Sequence, residues 1–219
     1  TEEDSHSLSA MALGGMSYGV TVREMTAAFC VFANGGYYYE PYTYTYVKDH
    51  DGNVILDNRD NTGEQVMSTE NATVMNKLLQ RPIYGSWGTA TSILSDLPTQ
   101  IFGKTGTTEK IAQYNEDKSE GMKYIVSYCG FAPAEDPQYA LLVYFDEPNQ
   151  EVSGVSPGGN AIAGPIFAKI MAEVLPYLGV EAQYTDEEAE MLDTTAPSVA
   201  GMTLEDAYQV LEQEGLGYT

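Results

Sequence analysis

Ile101-Phe102-Gly103-Lys104-Thr105-Gly106-Thr107-Thr108 is the stretch on which the reading of this chain turns. Two apolar residues lead in after Pro98, and the β-branched Thr105 and Thr107 alternate with a residue that has no side chain, which predicts one short strand. Glycine inside a strand weakens it and marks a place where a ligand or another backbone comes close, and the neighbouring lysine supplies a compact charge with three donors. The stretch reads as a surface built to be approached.

Upstream, Thr21 is followed three residues later by Glu24, and Met25, Ala28, Phe29 and Phe32 recur at helical spacing until Asn34-Gly35-Gly36, which predicts a capped helix with a glycine stop. From Tyr37 to Val47 nearly every second residue is aromatic or β-branched, and Asp51-Gly52 separates this run from Val54-Ile55-Leu56, as in a hairpin. Its tyrosines could form a carbohydrate-stacking platform, but ordinary strand packing is the simpler expectation. Ser68 or Thr69 starts a second helix, expected to end before Pro82, and a Gly- and aromatic-containing loop from Tyr84 to Gly88 then delivers the chain to the Lys104 strand.

Downstream, a polar connection from Glu109 to Lys123 leads to two strand candidates, Tyr124 to Phe131 and Tyr139 to Phe145, spaced as an antiparallel pair. A Gly/Ser/Pro loop from Ser153 to Gly159 precedes an amphipathic stretch, Ala161 to Leu178. Together these predict an α+β fold: an antiparallel sheet with flanking helices and the Lys104 strand at an exposed edge. Residues 1–180 form the main domain on this reading, 181–196 an acidic linker, and 197–219 a partial second module with a short strand, a Gly201 turn and a capped helix to Leu211.

With 219 residues and 43% apolar composition the chain can bury an ordinary core. Its net charge of -22 argues against nucleic acid or an anionic membrane surface as partner. No Lys or Arg follows Lys169, whereas carboxylates run from Glu181 to Glu214, and this asymmetry marks the domain boundary. The most apolar stretch, Ile162 to Val180, is broken by Pro165, Lys169, Glu173 and Pro176, so nothing in it spans a membrane, and any anchor is expected outside these residues. Cys30 and Cys129 sit in apolar settings that predict buried thiols, and neither His6 nor His50 has a metal-ligand partner nearby; no metal and no cofactor are expected.

Lys104-Thr105-Gly106 is one of three short motifs of penicillin-interacting serine enzymes, the others being Ser-x-x-Lys and Ser-x-Asn, and neither of those occurs in this chain. Around it, Ala12-Leu13-Gly14-Gly15-Met16-Ser17-Tyr18-Gly19-Val20-Thr21, Phe32-Ala33-Asn34-Gly35-Gly36 and the Gly88-Thr89-Ala90 turn come in a familiar order. On these residues the chain resembles the C-terminal part of a penicillin-binding protein transpeptidase domain, a partial fold of the serine β-lactamase type. The stretch before residue 60 is more similar to the bifunctional branch, whereas Gly130-Phe131-Ala132-Pro133-Ala134 and Asp146-Glu147-Pro148 are more similar to the monofunctional one. Pro197 to Leu211 resembles the opening half of a PASTA repeat.

The resemblance implies a peptidoglycan D,D-transpeptidase on the extracytoplasmic face of a bacterial membrane, with D-Ala-D-Ala stem peptides as substrate and β-lactams as inhibitors. It implies that the backbone N–H of Thr107 belongs to the oxyanion hole and that Lys104 joins the hydrogen-bond network of the Ser-x-Asn serine and favours the anionic substrate. The hydroxyls of Thr105 and Thr107 would bind the substrate carboxylate while Gly106 lets the backbone approach. The nucleophile should precede Thr1, and the 219 residues alone should be inactive. A β-lactamase or carboxypeptidase of the same fold, and a non-catalytic wall-binding or sensor ectodomain, are the competing expectations. Asp146, Glu147 and Tyr124 are given no role.

Overall fold

A computed structural model describes residues 6, 8–12, 14–16, 19–94, 97–149, 154–182, 197, 199 and 201–213. The chain divides into two compact units, 1–181 and 182–219.

In the first unit, helix α1 (Leu8–Ala12) precedes α2 (Val22–Ala33). Thr21 Oγ1 accepts the Glu24 N–H at 3.2 Å while the Glu24 carboxylate accepts the Thr21 N–H at 2.7 Å, so two orphan donors of α2 are satisfied reciprocally. Gly36 then turns the chain at φ +98°, where a Cβ would lie 2.1 Å from the Met67 carbonyl oxygen; no other residue fits there.

The tyrosine-rich run does not form the one hairpin that its pattern predicts. β1 (Tyr37–Tyr38) stops after two residues, and only β2 (Tyr46–Lys48) pairs with β3 (Val54–Asp57); β1 instead pairs with β4 (Glu64–Gln65). Pro41 has no N–H to give a ladder, and the intervening backbone is tied by side chains, Asn61 Nδ2 donating to the Glu40 carbonyl and Asn58 Nδ2 to that of Tyr44, both at 2.9 Å. Tyr37, Tyr39, Tyr42, Tyr44 and Tyr46 are all exposed, so ordinary strand packing does not describe them.

Ser68 caps α3 (Thr69–Tyr84), accepting the Asn71 N–H at 3.3 Å. The helix runs through Pro82, the expected stop, because its last turn is anchored by the fully buried Ile83. The Pro82 carbonyl accepts the Ala90 N–H at 2.8 Å, which folds the next turn back onto the helix. Short α4 (Thr91–Leu94) leads to β5 (Phe102–Glu109), and α5 (Ile111–Glu116) lies in the connection to β6 (Tyr124–Ala132) and β7 (Tyr139–Asp146). These strands form one antiparallel sheet in the order β5-β6-β7, with an unbroken register from Phe102↔Phe131 to Glu109↔Tyr124. A π-helical turn, Gly159–Ala163, continues directly into α6 (Gly164–Tyr177).

Apolar clusters flank this sheet. Tyr128 packs with Phe167, Met171 and Leu175 of α6 and with Ile83, Leu94 and Ile101, its ring 4.6 Å from that of Phe167. Phe102 and Phe131 meet edge to face at 5.6 Å in the second cluster, with Leu79 of α3 and with Phe29 and Phe32 of α2. This is the expected α+β fold, an antiparallel sheet with flanking helices.

In the second unit, α7 (Leu204–Gln213) is capped by Thr203, whose Oγ1 accepts the Asp206 N–H at 3.3 Å. Residues 183–196 of the expected linker lie outside the described residues, as do Ser198 and Ala200 of the expected short strand. No helix among the described residues is long and apolar enough to cross a membrane.

Phe167 is wholly buried, whereas Tyr177 on the same helix is 88% exposed. Phe167→Ala should lower the unfolding free energy by about 3–5 kcal/mol in urea titrations, against about 0.5 kcal/mol or less for Tyr177→Ala.

Candidate active-site edge

In an antiparallel ladder the peptide groups of alternate residues point toward the partner strand and away from it. The Lys110 N–H donates to the Lys123 carbonyl at 2.9 Å just beyond the end of β5, which places the even-numbered peptide groups on the β6 side. Gly103, Thr105 and Thr107 are in the opposite phase. Among the described residues β5 has no second neighbour, so the N–H and C=O of these three residues face its open edge.

Along that edge Lys104 is exposed, and its ammonium donates to the Thr105 carbonyl at 2.8 Å and to Thr105 Oγ1 at 3.1 Å. Thr105 Oγ1 also lies 3.2 Å from Thr89 Oγ1, within hydrogen-bonding distance. Thr89 belongs to the Gly88-Thr89-Ala90 turn. There the Thr91 hydroxyl donates to the Gly85 and Gly88 carbonyls, and a Cβ on Gly88 would meet the Pro82 carbonyl oxygen at 2.4 Å. Thr107 Oγ1 accepts the N–H of Gly159 at 3.2 Å. Lys104, Thr105, Gly106 and Thr107 therefore lie consecutively on one bare edge, with Thr89, matched in the resemblance but given no role, and Gly159, which had none either, as partners.

The neighbourhood of the edge is apolar. A groove of about 550 Å³ runs past Lys104 between α2 and α3, lined by Phe29, Phe32, Met75, Leu78 and Trp87, of which Trp87 is 98% exposed. Beneath the edge Tyr128 is fully buried, and its hydroxyl has no hydrogen-bond partner among the described residues. A Cβ on Gly103 would sit 2.8 Å from that oxygen, so Gly103 is the residue that leaves room for the phenol. Cys129 stands opposite Lys104 in the register; burial pushes its thiol up to about 12 and pushes the Cys30 thiol up as well, so neither is an available thiolate.

At the far end of the sheet Lys110 Nζ lies 2.6 Å from carboxylate oxygens of both Asp146 and Glu147, and Lys123 Nζ is 3.3 Å from Glu147. These ion pairs tie the ends of β5, β6 and β7 together, well along the strand from Lys104. The hydrogen bond from Lys110, seconded by Lys123, holds the Glu147 carboxyl below its ordinary value, and the hydrogen bonds that Lys110 donates to Asp146 and Glu147 raise its own.

The sequence profile of the penicillin binding protein transpeptidase domain matches residues 2–172. The chain belongs to that family. It is 28% identical over 205 residues to stage V sporulation protein D of Bacillus subtilis, covering 90% of this chain and 30% of that protein. It is 41% identical over 111 residues to penicillin-binding protein 1A of Clostridium novyi, covering 49% of this chain and 12% of that one. A crystal structure of a peptidoglycan synthetase from Bifidobacterium adolescentis superposes with a TM-score of 0.60 at 22% identity, over 76% of this chain and 29% of the other, which shows a shared fold. The chain thus spans less than a third of the length of these relatives.

A carboxyl whose folded-state pKa is depressed stabilises the fold above its unfolded value and loses that contribution as pH falls through the folded one. For Glu147 the loss begins below the unfolded glutamate value of about 4.3. Melting temperature measured from about pH 6 down to about pH 3 should therefore fall less steeply for Glu147→Gln than for the unchanged chain.

Proposed function

We propose that residues 1–181 form one wall of a D,D-transpeptidase active site, in a protein that cross-links peptidoglycan stem peptides through an acyl-serine intermediate and that β-lactams inhibit by acylating the same serine. The observation that carries this reading is the Thr107 amide on the open edge of β5, three residues from an exposed lysine. A tetrahedral intermediate develops negative charge on the former carbonyl oxygen, and a backbone N–H held rigid in a sheet stabilises that charge without having to reorganise.

In this reading the Thr107 N–H is one donor of the oxyanion hole. Lys104 supplies the positive charge that orders the serine hydroxyls and favours the anionic C terminus of D-Ala-D-Ala, and the hydroxyls of Thr105 and Thr107 donate to that carboxylate. Gly106, with no side chain, lets the extended peptide lie against the edge strand. The nucleophile is a serine outside these 219 residues, since no Ser-x-x-Lys occurs within them. The apolar groove beside Lys104 supports this arrangement as the face on which the nucleophile-bearing part of the domain would rest. We read residues 197–219 as the opening of a PASTA module and place the protein on the outer face of a bacterial membrane.

Two measurements test the proposal. The 219-residue chain incubated with a fluorescent penicillin should show no labelled band after denaturing electrophoresis, because removing the nucleophile leaves only a small residual activity. In the complete enzyme Lys104→Ala should slow penicillin acylation by about 10². Labelling of the isolated chain, or unchanged acylation in the variant, would refute these assignments.

A further inference from the structure

A close backbone approach behind the candidate site is made by Gly159, the first residue of the π-helical turn. A Cβ there would lie 2.4 Å from the Ser127 carbonyl oxygen, 2.6 Å from that of Gly106 and 2.9 Å from the Gly106 nitrogen. All three atoms are backbone, so none can swing aside as the tip of a side chain would. Gly159 is buried, and its own N–H donates to Thr107 Oγ1 at 3.2 Å. The start of the long helical segment 159–177 thus rests on the β5–β6 ladder at Gly106 and Ser127, one residue from the Thr107 amide on the open edge.

We infer that Gly159 is a positioning residue for the reaction: it sets the height of β5 against the π-helical turn and directs the Thr107 hydroxyl as a donor toward the substrate carboxylate. This inference rests on the reading of the β5 edge as the substrate-binding wall. A threonine hydroxyl has one proton and two lone pairs. With a lone pair occupied by the Gly159 N–H, the proton is left free for a ligand on the open side, and the chain from N–H through O–H to carboxylate polarises each link. The contact also fixes the Thr107 amide, because Gly106 cannot move outward without carrying the next peptide group with it. Gly159→Ala displaces either the strand or the turn, and either movement takes the Thr107 amide and hydroxyl off a common target. A misplacement on the order of 1 Å costs about 10² in rate.

The test has two arms. In the 219-residue chain, hydrogen exchange measured on peptides covering 102–109 should speed up in Gly159→Ala while peptides covering β7 keep their protection; equal protection of β5 in both proteins would overturn the positioning contact whatever the function. In the complete enzyme, well below the melting temperature, Gly159→Ala and Thr107→Val should each slow acylation by fluorescent penicillin at least about ten-fold. Thr107→Ser, which keeps the hydroxyl, should stay within about three-fold of the unchanged enzyme, and the Gly159→Ala/Thr107→Val double variant should lose less than the product of the two single losses. Leu175→Ala, which lowers stability from the far end of α6, should leave the acylation rate unchanged. Thr107→Ser as slow as Thr107→Val, or multiplicative losses in the double variant, would overturn the hydroxyl relay. Failure of the unchanged complete enzyme to acylate at all would instead sink the transpeptidase reading and leave the exchange result to decide the contact.

Discussion

An antiparallel ladder that is filled on one side and bare on the other is the constraint from which the rest of this molecule follows. β6 pairs with β5 along its whole length, from Phe102↔Phe131 to Glu109↔Tyr124, and this register settles which peptide groups are used up inside the sheet and which are left over. The leftover groups are those of Gly103, Thr105 and Thr107. An unpaired edge is ordinarily a hazard, because any extended chain can add to it, and the same property makes it a binding surface for an extended peptide. Its rigidity comes from the two packed faces of the sheet, where Tyr128 meets Phe167 and Phe102 meets Phe131.

Glycines work here as spacers between backbones. Gly103 makes room for the Tyr128 phenol, Gly88 lets the Thr89 turn close on Pro82, and Gly159 lets the π-helical turn reach the backbone of Gly106 and Ser127. At Gly103 and Gly159 the missing side chain brings a ring or a backbone closer to β5 than a Cβ would permit. The lysine and threonines of the motif are thereby held at a fixed height relative to α3 on one side and the turn before α6 on the other. In the proposed reaction, donors held in this way would not have to rearrange as charge develops.

Charge is distributed in keeping with that division of labour. The chain carries a net charge of -22, yet the motif edge presents an exposed lysine, while the compact ion-pair cluster of Lys110, Lys123, Asp146 and Glu147 lies at the other end of the strand. Partly exposed pairs of this type add little stability singly; their value lies in joining three strand ends.

Local pattern alone determined much of this protein. The Thr21/Glu24 capping box, the strands at 102–109, 124–132 and 139–146, and the edge position of the motif strand were all legible, because each depends on residue type at a fixed short spacing. The ordered motifs likewise made the family recognisable. Tertiary structure decided what spacing cannot carry. The run from Tyr37 to Val47 reads as one strand but divides around Pro41 between two small sheets, and α3 passes Pro82 because burial of Ile83 outweighs the local stop. The partners Thr89, Tyr128 and Gly159 come from segments distant in sequence, and only packing brings them to β5. The phase of the ladder, which turns the Thr107 amide outward, is a property of the β5–β6 pairing and is not encoded in the motif by itself.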